Sequence, residues 1–339
     1  MKRRALLSTV ALGLGGCLAS DDPGSSSSTS STTHSQTTSD GTTPAQSTTT
    51  GTGTADPPEV GVPVDQTDCP AAAGDDARVV CWPVMADEPL VLSASKETVS
   101  HPTDEVEFTL HNETDASFAT NFYGWGLEKR VDERWYHVTP WTVPEPLMYV
   151  PSGESHTWTV SLGDGDVTTR RTQKGQESVS LAGLGGGEYA FTNSGWFEGT
   201  DYEETSVGLA AQFTIDGPAI ELRPSSRVTG STRDGSVVTV ERSHPDNYQG
   251  RLAEYRVRRV DSAPDPRQFI TEQVLRFEYL RDTLSAFESG VDTVRLVEQN
   301  GTHPAFGVHD AEYVRYEGQT YEITANELES ETETATEDA

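Results

Sequence analysis

The sequence predicts a mainly β protein: an antiparallel β-sandwich over residues 85–218 and a small α+β domain over 219–328, carried on a disordered N-terminal stalk. Three observations predict it. Segments that alternate polar and apolar residues recur from Leu90 to Ile215, separated by Gly-, Pro-, Asn- and Asp-rich turns, with no helical period among them. Beyond residue 219 the pattern changes to hairpins flanking one segment of helical spacing. Residues 24–54 hold 21 Ser or Thr in 31 positions, with no aromatic and no aliphatic larger than Ala, so burial there cannot offset chain entropy.

Composition narrows the function classes. The 339 residues carry 24 Lys or Arg against 54 Asp or Glu, a formal charge of −30, and only 34% are hydrophobic. No apolar run is long enough for a polytopic membrane protein. Phosphate would be repelled by this surface, so no nucleic-acid partner is expected.

Residues 1–16 have the three parts of an export signal: Lys2-Arg3-Arg4, a short apolar stretch, and a small-residue exit before Cys17. Leu14-Gly15-Gly16-Cys17 resembles the lipobox of prokaryotic lipoproteins, which implies a lipid on the Cys17 sulfur. Arg3-Arg4-Ala5-Leu6-Leu7 is similar to a twin-arginine signal, which implies export of the folded chain. Together they imply a body anchored through lipid at the extracytoplasmic face of the membrane. The alternatives are an uncleaved anchor or a plain secretory signal with a chance cysteine.

Residues 17–60 are then a tether. Residues 21–60 would span about 130 Å fully extended and about 35 Å as a flexible coil. Residues 61–84 form a lead-in containing Cys69 and Cys81. Two cysteines left over in an exported chain suggest a disulfide clasping the start of the folded region, worth about 3 kcal/mol in the chain-entropy view. Free thiols or half a metal site are the other readings. The acidic tail, 329–339, is not expected to fold. Beyond the leader only Lys96, Lys129 and Lys174 remain, against 18 Arg. Acid excess with lysine nearly absent resembles proteins of extreme halophiles, here of an archaeal kind, whose surface repulsion is screened at molar salt.

Within the sandwich, strands are expected at Leu90–Ser95, Glu105–Leu110, Leu127–Val131, Trp135–Val138, Thr157–Leu162, Glu188–Phe191 and Val207–Ile215. Val106, Phe108 and Leu110 fall on one face of the second. Several motifs follow in order: Thr98 to Asn112 ending in Leu-x-Asn, Leu127-Glu128-Lys129, Trp135-Tyr136, Pro151-Ser152-Gly153-Glu154, and Leu184-x₂-Gly187-Glu188-Tyr189. This order resembles a bacterial immunoglobulin-like domain family over about 130 residues. The resemblance implies an immunoglobulin-like sandwich without catalytic residues. The Asp132-Glu133 turn departs from the family, which usually has Gly there, as do the longer 141–148 and 164–177 loops.

Trp196, Phe197 and Asp201 are a candidate ligand loop, either an aromatic platform or a weak carboxylate ion site. Acidic loops are also expected simply from the overall composition. Asn112 and Asn300 open Asn-x-Thr sequons and are candidate glycosylation sites.

In the α+β domain, Val228–Thr232 and Val237–Arg242 form a hairpin about Asp234-Gly235, and Ala253–Val260 a half-buried strand. Asp265-Pro266 reads as a helix start, with Ile270, Val274, Phe277, Leu284 and Phe287 at helical spacing and Gly290 as the stop. Val291–Glu298 is a strand, and Tyr313–Thr324 a closing hairpin. Arg251, Arg256, Arg258, Arg259 and Arg267 form a basic group. It offers a landing place for an acidic partner or, more simply, a solvated strand face paired with nearby acids.

Catalytic signatures do not emerge. The histidines lack helical metal spacing, Gly183–Gly187 precedes a strand instead of opening a helix, and no nucleophile elbow occurs. The expectation is no enzyme, no metal and no cofactor. The sequence therefore predicts a lipid-anchored surface protein with a non-catalytic binding or envelope role toward an unknown protein or glycan. The runner-up is an inhibitor or accessory subunit of a membrane or secreted enzyme such as a protease.

Overall fold

A computed structural model describes residues 57–100, 104–163, 167, 177–243 and 250–328. The leader with Arg3 and Arg4, Cys17, the stalk through residue 56, most of the 164–177 loop and the 329–339 tail lie outside the described residues. Before residue 217 the strands are β1 (Val62–Pro63), β2 (Arg78–Trp82), β3 (Leu90–Ala94), β4 (Thr98–Ser100), β5 (Glu105–Asn112), β6 (Phe118–Thr120), β7 (Gly126–Val131), β8 (Arg134–Thr139), β9 (Met148–Val150), β10 (Glu154–Gly163), β11 (Ser178–Ala182), β12 (Gly187–Phe197) and β13 (Val207–Asp216). A single helical turn, α1 (Tyr202–Thr205), joins the last two.

Two sheets share these strands. One has the order β11-β10-β5-β3; the other runs β1-β2-β13-β12-β6-β9, with β4 on β13 and the β7–β8 hairpin on β12. Their inner faces contribute to one apolar core. The alternation in β5 does what its sequence indicates: Val106, Phe108 and Leu110 are buried, while Glu105 and Glu107 are exposed. Phe108 stacks on Phe191 of the opposite sheet with centroids 4.3 Å apart, and Trp125 and Trp158 pack on the same ring. The Trp158 indole keeps its polar edge satisfied by donating to the Phe122 carbonyl at 2.8 Å.

The expectation of an antiparallel arrangement is corrected: the sheets are mixed. β11 runs parallel to β10, and both β2 and β4 run parallel to β13. Period-two alternation is the same in either direction. Direction is forced only where a short hairpin links neighbours, and these partners are joined by longer stretches of chain.

The Cys69–Cys81 disulfide is formed, with Cα atoms 6.2 Å apart. It holds the lead-in on the outer face of the nine-stranded sheet, where Cys69 and Cys81 pack with Val79 and Ala210. The Trp135 indole donates to the Asp68 carbonyl at 2.6 Å. Small residues make the approach feasible. A Cβ on Gly208 would sit 3.1 Å from the Ala73 nitrogen, so any side chain there would push the lead-in away.

The second body is a seven-stranded mixed sheet. Its strands are β14 (Val228–Asp234), β15 (Val237–Arg242), β16 (Arg251–Val260), β17 (Arg267–Gln268), β18 (Thr293–Asn300), β19 (Glu312–Tyr316) and β20 (Gln319–Glu327), in the order β14-β15-β18-β16-β20-β19-β17. Both expected hairpins are present. The closing one turns on Glu317 and Gly318, both at positive φ, which matches the right-handed twist of the strands it joins.

The single helix expected after Asp265 is corrected. Asp265 has φ of 41° and caps nothing, and Arg267–Gln268 instead pairs in parallel with β19. Two short helices follow, α2 (Thr271–Val274) and α3 (Glu278–Leu284), broken at Phe277 where ψ is 89°. The helical spacing arose because Val274, Leu280 and Leu284 still turn toward one core with Tyr255, Val257, Leu296 and Ile323.

The described residues of both bodies belong to one compact unit. Ile270, just before α2, enters the sandwich core. The adjacent Glu272 is buried and accepts hydrogen bonds from Lys129, from the Gly185 amide at 3.2 Å and from the Tyr189 hydroxyl at 3.3 Å. Arg276, also buried, donates to the carbonyls of Ala182 and Gly183. Burial, with Glu272 beside it, pushes the Tyr189 phenol well above its usual range. Burial also lowers the Arg276 guanidinium to about 10, with Tyr189 and Glu272 opposing the shift.

Candidate functional site

The sandwich ends in an aromatic surface built by strand register. Phe197, Phe118 and Val150 lie opposite one another across β12, β6 and β9, and all three are buried in the core. Successive side chains alternate faces, so the neighbouring row, Trp196–Ala119–Tyr149, must lie on the outer face. Tyr202 of α1 stands edge-on to Trp196, with centroids 5.0 Å apart and planes at 76°. Trp196 is half-buried, whereas Tyr149, Tyr202 and Leu147 are 43%, 49% and 52% exposed. Trp196 at the end of β12, Tyr149 on the edge strand β9, Leu147 just before it and Tyr202 of α1 thus bring large apolar groups to the surface, with Ala119 buried in the row between Trp196 and Tyr149 and with Glu198 and Asp201 exposed nearby. Grouped apolar exposure of this kind marks interaction surfaces; scattered single residues do not.

The geometry revises the loop expected at Trp196, Phe197 and Asp201. Trp196 and Phe197 are the last residues of β12, and Phe197 is core, meeting Phe118 edge-to-face at 5.6 Å. Trp196 keeps an outward position, and Asp201 starts the turn after the strand, where its carbonyl accepts from the Thr205 hydroxyl. Tyr149, Tyr202 and Leu147 were not singled out from the sequence. The available signal was Tyr149 alternating with buried Val150 in a short segment between prolines. Among the described residues no group of three or more His, Cys, Asp or Glu side chains could hold a metal ion. The side chains of Glu203 and Glu204 lie outside the described residues.

Both sequon asparagines, the candidate glycosylation sites, are buried and hydrogen-bonded in the fold. Asn112 is fully buried, and its amide nitrogen donates to the carbonyls of Ala116 and Val150. Asn300 is 6% exposed, and its side-chain oxygen accepts from Thr302 and from the Phe306 amide. In each case the Asn-x-Thr spacing serves a local turn: the threonine hydroxyl closes back on the asparagine oxygen.

The basic group is dispersed in pairs. Arg251 meets Glu327, Arg256 meets Glu254, and Arg258 meets Glu322. Arg259 lies over Phe287, and Arg267 over Trp141 and Phe269. This is a strand face neutralised by its own acids. The densest charge is elsewhere and buried: Arg242 forms ion pairs with Glu278, Asp282 and Glu298 at 2.7, 3.1 and 3.3 Å. It ties β15 to α3 and β18, with the Arg242 and Asp282 side chains enclosed and Glu278 partly exposed.

No helix among the described residues is long and apolar enough to cross a membrane. The chain matches no protein-family model, and no curated protein matches it.

Proposed function

We propose that the protein is a lipid-anchored surface lipoprotein that binds a protein or glycan partner without catalysis. In this reading the leader with Arg3 and Arg4 directs export by the twin-arginine route, and Cys17 carries the lipid. The tether is the stretch expected over residues 17–60, shortened at its end because Val60 packs in the sandwich core. The sandwich is immunoglobulin-like, a reading supported by two sheets around one core and by the ordered motifs from Asn112 to Tyr189. An acidic surface of this density suits an extremely halophilic archaeal exterior.

The observation that carries the binding role is the outward row Trp196–Ala119–Tyr149 with Tyr202 against it. Large amphipathic rings give contact area at low entropic cost. Pro144, Pro146 and Pro151 bracket the edge strand, which blunts strand-to-strand aggregation.

Crosslinking in intact cells tests the reading. Wild type, Trp196→Ala/Tyr149→Ala and Cys17→Ser are compared, with membrane fractionation alongside. The expected result is a crosslinked partner that the aromatic variant loses while remaining in the membrane, and release of Cys17→Ser from the membrane. An unprocessed chain in the cytosol would overturn the anchoring. Capture of a protease by a cleavage-resistant loop would replace the binding role with inhibition.

A further inference from the structure

We propose that His137 is a proton-operated latch between the sandwich and the C-terminal body. Charged, it fastens the loop from Pro140 to Leu147; neutral, it lets the root of that loop go.

The geometry makes the argument. His137 lies on β8, with Nδ1 2.7 Å from Glu128 Oε1 on β7 and Nε2 2.7 Å from the Pro140 carbonyl oxygen. A carboxylate and a carbonyl only accept hydrogen bonds, so both ring nitrogens must donate. Only the imidazolium carries two N–H groups. Loss of the proton leaves one nitrogen with a bare lone pair facing oxygen. The bond to the carboxylate is the stronger, so the neutral ring keeps Nδ1–H and breaks at Pro140.

The broken bond sits at the seam between the two bodies. The His137 carbonyl accepts from Gln273 Nε2 of α2 at 2.9 Å. Trp141, one residue beyond Pro140, donates its indole N–H to the Val138 carbonyl at 3.2 Å. Its ring meets His137 edge-to-face at 5.2 Å, meets Phe277 of the C-terminal body at 5.2 Å, and lies beneath Arg267 at 4.8 Å.

The charges around the ring come from both bodies. Burial disfavours the imidazolium, and Arg267 of β17 opposes it from across the seam. Glu128, through its hydrogen bond and its charge, and the Pro140 carbonyl favour it. The balance holds His137 above the ordinary histidine value. Glu312 partly offsets Arg267. The seam's other charged groups are Lys129 and Glu272, engaged with each other, and Arg276, whose guanidinium donates to the Ala182 and Gly183 carbonyls. A raised folded-state pKa stabilises the closed seam fully below the unfolded histidine value, and the stabilisation is lost as pH rises through the folded one.

The test is an NMR titration of the mature chain at molar salt, following the His137 ring and the exchange of the Trp141 indole proton corrected for base catalysis. The expected result is a ring midpoint above the ordinary histidine value, with indole protection lost over the same range. Glu128→Gln should lower the midpoint, and His137→Gln should abolish the pH dependence of the indole protection. A wild-type ring that titrates at or below the ordinary value overturns the latch, as does indole protection indifferent to the ring's charge. The wild-type titration decides the matter even if neither variant folds.

Discussion

Beyond residue 16 the chain has three lysines, and one of them, Lys129, is buried. Its ammonium pairs with Glu272 and donates to the Gly186 carbonyl at 3.1 Å, bridging the sandwich and α2. Glu272→Ala would leave that charge without its partner in a dry site. The expected cost is about 3–5 kcal/mol in chemical denaturation, whereas a Lys129→Met/Glu272→Leu pair should come closer to neutral. Nothing local to either residue advertised this, because acids are abundant in this chain and their partners are set by tertiary packing. Asn112 is the opposite case, since its sequon was plain in the sequence. The same three residues that an oligosaccharyltransferase reads also build a side-chain turn, in which the Thr114 hydroxyl donates to the Asn112 side-chain oxygen.

Strands with a clean alternation were legible. β3, β5, β7, β8, β10 and β13 lie where their polar–apolar pattern placed them, and the Trp158 position on β10 follows from that pattern. Trp158→Ala should therefore cost about 3–5 kcal/mol in a denaturant melt. β6 and β9 were not legible, because three residues are too few to show a period and their pairing is decided by distant strands. That gap hid half of the aromatic surface. The α2–α3 region misled for a related reason: apolar spacing reports which residues face the core, and a broken helix can satisfy it as well as a continuous one. The lead-in was readable through its cysteines and through the strand-like run Val79–Trp82, which lies within β2. Cys69→Ser/Cys81→Ser should lower stability by about 3 kcal/mol, with the loss appearing first as exchange of the β1 and β2 amides.

At the scale of the molecule, the change of pattern near residue 219 marks a real change of sheet, but the two bodies form one compact unit through Ile270, Glu272 and Arg276. Separate melting of the two is not expected; a single calorimetric transition checks this. Net charge acts on the same unit. With 54 acidic groups against 24 basic ones, self-repulsion should grow as screening is withdrawn. The melting temperature should fall as salt drops from molar to about 0.1 M, and a salt-independent melt would contradict the halophilic reading.

The clasp on the lead-in also has a mechanical consequence. β1 is held to β2 by only two residue pairs. The Cys69–Cys81 bridge carries any tension arriving from upstream past the intervening loop and into β2. β2 lies parallel to β13 over Arg78–Trp82 and Val207–Ala211; the load enters it at Cys81, and the rungs from Arg78 to Val80 lie within the closed loop, shielded from tension while the bridge is intact. In single-molecule pulling from the N-terminal end, the oxidised chain should yield at a higher force than the reduced one.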